Sequence, residues 1–285
     1  MTSRAARSRP VIGVRIAVAA ALATAAAMTA SAPGAAQAAS EPVTACTALD
    51  ICYCVHPEFK DAIAANVARI RTLLADQRAQ GKAIGYLSVP LSAAGGGSFT
   101  VNTAIAARIA GRVTERFGPR ATFVLNPGAE GGDGLRGASG ADYMYMWTQI
   151  LEGDKGLGEA FDFVYFSGPR DFAGYFELTG THDFERLEAW FDDKIAPDPQ
   201  FKDAIANGSL TRNGFRNYYG LRASVAFSYG SHDEWNIARM INDRRRGATD
   251  YGIANQLAVF FDGQPMSPGG YESPTAAGDV GRCVK

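Results

Sequence analysis

Five short apolar runs rich in β-branched and aromatic residues recur along the chain: Ala83–Val89, Thr122–Leu125, Asp162–Ser167, Ala223–Ser228 and Gln256–Phe261. Four of the five run into Pro or Gly within a few residues, as strands do where they give way to loops. Between these runs the apolar spacing is helical. Pro57–Gln80 carries Phe59, Ile63, Val67, Ile70 and Leu74 three or four residues apart, and Gly81 follows as a stop. Val101–Phe117 repeats the pattern, with Asn102 as a candidate cap and Gly118-Pro119 beyond it. Ala141–Leu151, Asp183–Ile195 and Asp233–Arg245 also read as helices.

Strands that alternate with helices predict an α/β fold, a three-layer sandwich around a mainly parallel sheet of about five strands. Ligands in such sheets sit beyond the carboxyl ends of the strands. This directs attention to Pro90–Phe99, Asn126–Gly140, Gly168–Asp171, Tyr229–Glu234 and Asp262–Met266. One internal echo stands out. Pro57-Glu58-Phe59-Lys60-Asp61-Ala62-Ile63-Ala64 recurs almost unchanged as Pro199-Gln200-Phe201-Lys202-Asp203-Ala204-Ile205-Ala206. It reads either as an old duplication or as reuse of a good helix start, the latter favoured because the similarity stops there.

The N-terminus is of another kind. Arg4, Arg7, Arg9 and Arg15 make it basic, Val11–Ala30 is mostly Ala, Val and Ile, and Ala36-Gln37-Ala38 is a small-x-small cleavage pattern. The expectation is a secretory signal peptide over residues 1–38, rather than a membrane anchor, because the apolar core is Ala-rich and weakly hydrophobic. No Arg-Arg pair precedes it, which favours the general export route. Cleavage after Ala38 leaves 247 residues with 24 basic and 29 acidic side chains. That acidic balance argues against a nucleic-acid partner, and no second run is long enough to span a bilayer after cleavage. The mature chain then divides into a cysteine-containing segment with a helix, residues 39–82, and an α/β body, residues 83–285, expected to form one globular unit. The expected location is secreted or periplasmic. Cys46, Cys52, Cys54 and Cys283 are four cysteines at the two ends of that unit, an even count that favours disulfides outside the cytosol. Three pairings are open. Direct Cys52–Cys54 bridging is the least comfortable, and Cys283 is expected to tie the C-terminus to the N-terminal cluster. A metal site through Cys52, Cys54 and His56 has poor spacing for zinc, and no metal is expected.

Gly132-Asp133-Gly134-Leu135-Arg136-Gly137 is formally G-x-G-x-x-G, but it starts well past a strand and ends before its helix, so it reads as a mobile loop that covers a pocket. No P-loop is present, and no cofactor is expected. More informative is Gly230-Ser231-His232-Asp233-Glu234-Trp235-Asn236. In one reading Ser231 caps the helix and Glu234 completes a capping box. In the other, Glu234 points into the strand-end crevice as base or nucleophile, with His232, Asp233, Trp235 and Asn236 around it. A serine triad is excluded, since Ser231, His232 and Asp233 are consecutive and no G-x-S-x-G elbow exists. After the third strand, Arg170 is placed to hold an anionic or hydroxyl-bearing ligand, and Asp171 to cap the next helix.

Ile84-Gly85-Tyr86-Leu87-Ser88-Val89-Pro90, the helix bearing Asn102, Phe123-Val124-Leu125-Asn126-Pro127, Asp162 and the Gly230–Glu234 segment together resemble the nucleoside 2-deoxyribosyltransferase-like superfamily. The resemblance implies a Rossmann-like fold and makes Glu234 the nucleophile toward the anomeric carbon of a nucleoside-like ligand. Tyr86, Trp147 and Trp235 would stack on a base, with Asn126 and Arg170 as further ligand contacts. If the protein is an enzyme, the expected function is glycosyl or N-glycosidic chemistry by Glu234. The alternatives are a secreted small-molecule binding protein and a structural protein of the envelope. A Glu234 that is buried, or turned away from Tyr86, Asn126 and Arg170, would count against catalysis.

Overall fold

The computed structural model describes residues 40–223, 228–248, 255–266 and Cys283. These residues belong to one unit spanning Ala39–Lys285, and no described helix is long and apolar enough to cross a membrane. Two strands precede the predicted ones. β1 (Val43–Cys46) and β2 (Cys52–Val55) pair antiparallel as a hairpin apart from the main sheet. Each has only four residues and holds cysteines where strands usually hold branched side chains, so apolar periodicity does not mark them.

The main sheet has the order β4-β3-β5-β6-β7. Its members are β3 (Ala83–Ser88), β4 (Thr122–Leu125), β5 (Phe163–Phe166), β6 (Ala258–Phe261) and β7 (Gln264–Met266). The first four are mutually parallel, and β7 returns antiparallel at the edge. They match four of the five predicted runs. The remaining run, Ala223–Ser228, falls mostly on residues outside those described. Gly85 in β3 has a packing reason, since a Cβ there would overlap the Phe163 ring of β5.

Period-two alternation divides the strand side chains between two cores. Ile84, Tyr86, Val164 and Phe166 face α1 (Lys60–Ala79), α4 (Gly140–Glu152) and α9 (Tyr229–Gly247). Leu87, Val89, Phe163 and Tyr165 face α2 (Phe99–Phe117) and the long segment between β5 and α9. That segment, most of the Asp171–Gly220 insertion, carries α5 (Pro169–Tyr175), α6 (Asp183–Trp190), α7 (Lys202–Ala206) and α8 (Arg212–Asn217). It packs an aromatic cluster in which Trp190 stacks on Phe215 with centroids 5.4 Å apart. The echoed octapeptide behaves alike in both places: a 3₁₀ turn starting at proline leads into an α-helix. The first copy runs on for twenty residues, and the second stops after five at Asn207-Gly208, where Gly208 takes φ 76°.

The predicted cap of α2 shifts. Ser98, not Asn102, caps α2. Asn102 is fully buried, donates to the carbonyls of Leu91 and Ser92, and accepts from Tyr219, which ties down the loop after β3. The hairpin is fastened by polar residues of α4. Asp142 accepts from the His56 amide at 2.8 Å and contacts its ring nitrogen at 2.9 Å. Thr148 bonds the Tyr53 hydroxyl, and Glu152 accepts from the amides of Ala48 and Leu49. All three α4 side chains are buried and all have partners, as buried polar groups require.

Cys46 pairs with Cys52 and Cys54 with Cys283, so the C-terminus is tied to β2. The bridges close sequence separations of 6 and 229 residues. Loop-closure entropy then predicts unequal effects: serine replacement of the Cys54–Cys283 pair should cost about 5 kcal/mol and of the Cys46–Cys52 pair about 2 kcal/mol. Urea midpoints of the two double variants measure this difference, and equal losses would contradict it.

Candidate functional site

A cavity of about 600 Å³ opens beyond the carboxyl ends of β3 and β4, where the parallel-sheet rule places ligands. The segment after β3 contributes Leu91, Ser92 and Phe99, and the segment after β4 contributes Pro127, Gly128, Gly131 and Gly132. The first turns of α9 add Tyr229, Gly230, Ser231, Asp233 and Glu234. One wall comes from an element that the apolar pattern did not reveal: Ile51, Cys52 and Tyr53 of the hairpin. Trp147, Met144 and Tyr143 of α4 complete the enclosure.

Glu234 lies where two periodicities meet. In α9 the buried positions Ser231, Glu234, Trp235, Ala238, Ile241, Asn242 and Arg245 recur at three- and four-residue spacing and form the sheet-facing stripe. In β3, Tyr86 and Ser88 lie two residues apart and face the same way. The Tyr86 hydroxyl donates to Glu234 Oε1 and the Ser88 hydroxyl to Oε2, each at 2.5 Å. The carboxylate is thus held by a donor on each oxygen, at the floor of the cavity, with 8% of the residue exposed.

The capping-box reading fails on position. Ser228 caps α9 by accepting from the Ser231 amide, which leaves Glu234 in the second turn, beyond the free amides of the helix start. Its burial therefore serves no helix end. The other polar residues of the stripe do have structural work. Asn242 exchanges two hydrogen bonds with the backbone of Leu257, and Arg245 donates to the carbonyls of Leu157, Gly158, Phe161 and Asn255.

Desolvation pushes the Glu234 pKa up from 4.5 to about 7. The hydroxyls of Ser88 and Tyr86 oppose that rise, and the charge of Asp233 adds to it. Burial likewise pushes Asp233 up to about 6, with His232 opposing. Tyr86 is driven well above its ordinary value by burial and by Glu234, so it stays a hydroxyl and a donor.

The expected site residues separate. Glu234, Asp233 and Tyr86 come together. His232 sits beside Asp233 on α9 without lining the cavity. Asn126 caps α3 (Pro127–Glu130) by accepting from the Gly128 amide at 3.0 Å. Trp235 is buried against Phe166, with centroids 4.6 Å apart, and Asn236 is buried beside it in sequence. Tyr86 itself is fully buried, packed edge-on to Trp147 and Phe161, so it cannot stack on a ligand. Of the three aromatics expected to stack, only Trp147 lines the cavity. Arg170 belongs to a separate cleft of about 290 Å³ at the ends of β5 and β6. There Asp171, which does occupy the first turn of α5, accepts from Arg112 and Tyr165, and Asp262 accepts from the amides of Arg170 and Asp171.

Sequence reasoning did not single out Ser88 or Tyr53, and it flagged Phe99 and Tyr229 only as the ends of post-strand segments. Ser88 had a signal, a hydroxyl two residues from Tyr86 in an otherwise apolar strand. The glycine-rich loop is tethered rather than loose: Asn66 bonds both the amide and the carbonyl of Asp133, and Tyr143 donates to the Leu135 carbonyl. Comparison of the chain with protein-family models, curated proteins and solved structures finds no match.

A carboxyl with a raised folded-state pKa binds its proton more tightly in the native protein. Its contribution to stability is complete below pH 4.5 and is lost as pH rises through about 7. Glu234→Gln, always neutral, should match wild type near pH 4 and gain on it up to pH 7, reaching about 3 kcal/mol at 1.4 kcal/mol per unit. Urea midpoints of both proteins from pH 4 to 8 test this. A difference that stays flat would show that Glu234 is not desolvated.

Proposed function

We propose that this chain is an exported protein that admits a small organic ligand to the cavity and acts on it through Glu234 in N-glycosidic chemistry on a nucleoside-like molecule. The observation that carries the reading is a buried carboxylate with no helix-capping or backbone-tethering task, held by two hydroxyls at the floor of a cavity. A group so oriented and partly desolvated suits attack on an anomeric carbon, because its lone pairs are fixed and poorly hydrated. With a pKa near 7 it also suits proton transfer at neutral pH. Asp233, more acidic, supplies a second carboxylate for sugar hydroxyls or for the water that completes hydrolysis. The short motifs that resemble the nucleoside 2-deoxyribosyltransferase-like superfamily support this reading. Export is supported by the N-terminal pattern and by the two disulfides, which persist in oxidising compartments.

A second reading, binding without turnover, is favoured by specific observations. Glu234 is only 8% exposed, the burial expected to count against catalysis; Asn126 and Arg170 are engaged elsewhere, and both Glu234 oxygens already accept a hydrogen bond.

Mass spectrometry of the mature protein incubated with nucleosides separates the two. Catalysis predicts released base and sugar, and a loss of at least ~10²-fold in Glu234→Gln with Tm at neutral pH no lower than wild type. Intact ligand carried by both proteins, with no product from either, would replace the catalytic reading by the binding one.

A further inference from the structure

The cavity is chemically one-sided. Its described lining includes Asp233 and Glu234 but no Lys, Arg or His. His232 moderates Asp233 from the neighbouring position without entering the lining. Tyr53, Tyr143 and Trp147 form aromatic wall, and Phe99 and Tyr229 stand at the rim, 59% and 95% exposed. Ring faces carry negative quadrupole potential and attract cations, above all where water is excluded. A phosphate or carboxylate entering here would meet two acidic groups, with the N-terminus of α9 but no basic side chain to offset them. A neutral ligand would leave an ionised Glu234 desolvated and without a counter-charge, and Asp233 with only the neighbouring His232. A cation on an aromatic body satisfies both the floor and the walls, and about 600 Å³ accepts one of substantial size.

We propose that the cavity selects a monovalent organic cation built on a flat heteroaromatic ring and bearing no phosphate. The inference deepens the ligand-site reading of the cavity and rests on it. It also simplifies the chemistry. In an N-glycoside whose ring nitrogen is quaternary, a Glu234 oxygen attacks the anomeric carbon while the C–N electron pair passes to the ring. The heteroarene leaves neutral and needs no proton donor. Water then cleaves the glycosyl ester, which frees the sugar, restores the carboxylate and releases one proton.

The test uses probes that lack a glycosidic bond, so binding is read apart from turnover. Calorimetry compares 1-benzyl-3-carbamoylpyridinium with its uncharged 1,4-dihydropyridine, and with 4-benzylbenzoate as an anion of similar size. The pyridinium should bind roughly tenfold or more tighter than the dihydropyridine, and the benzoate should not bind. Asp233→Asn should shrink the charge preference, and Glu234→Gln provides the same test should the first variant fold poorly. Equal binding of the charged and uncharged pair, or preferred binding of the benzoate, would overturn the cation selectivity while leaving a ligand site in place. Binding of none of the three would overturn both. Failure of nucleoside turnover alone would remove the catalytic reading and leave the charge preference standing.

Discussion

A parallel strand covered on both faces can offer functional groups to a ligand only at its ends. The organisation of this protein follows from that constraint. Two layers of helices seal the faces of β3, β4, β5 and β6, and side chains between them are sorted by the alternation of the strands. What remains open is the carboxyl edge, and both cavities lie there. The larger gathers the ends of β3 and β4, the start of α9 and the hairpin β1–β2. The hairpin belongs to no part of the sheet, so it needs its own attachments. The buried polar residues of α4 and the disulfide to Cys283 provide them.

The buried polar groups of this chain fall into two kinds. Asn102, Asp142, Glu152, Asn242 and Arg245 are partnered largely with backbone, and each holds a loop or turn against the body. Such groups repay their desolvation by fixing the chain path. Glu234 is different, because its partners are two side-chain hydroxyls and it touches a cavity. Its raised pKa expresses the same fact: two hydroxyl donors do not replace the water that the carboxylate has lost. A helix stripe that otherwise packs apolar or tethering residues on the sheet carries this charge at the one point where the strand ends.

Sequence legibility followed the range of the forces involved. Local periodicity placed four of the main-sheet strands and the long helices, because repeated apolar spacing is sufficient to specify an amphipathic face. It did not place β1, β2 or β7, which are short and owe their pairing to disulfides or to the edge of an existing strand. It took Asn102 as a cap, because an Asn near a helix start looks the same whether it bonds the first amides or reaches across to another loop. Arg170 and Trp235 carried suitable chemistry, but one belongs to the second cleft and the other to the core. The distance of Arg170 from Glu234 depends on how α5 and α9 pack, and the direction that Trp235 faces depends on the phase of α9 against the sheet, which no local pattern encodes.

By itself, then, the sequence determined the layered α/β plan, an N-terminus of basic residues followed by an apolar run, an even set of cysteines and a short list that contained Glu234, Asp233 and Tyr86. The tertiary structure decided the disulfide partners, the identity of the wall opposite α9 and the surroundings of Glu234. The physical reason is that capping and catalysis make the same demand on residue type, a carboxylate near a helix start. Only the phase of α9 against β3, set by packing of its whole sheet-facing stripe, turned that carboxylate from the helix end toward two hydroxyls and a cavity.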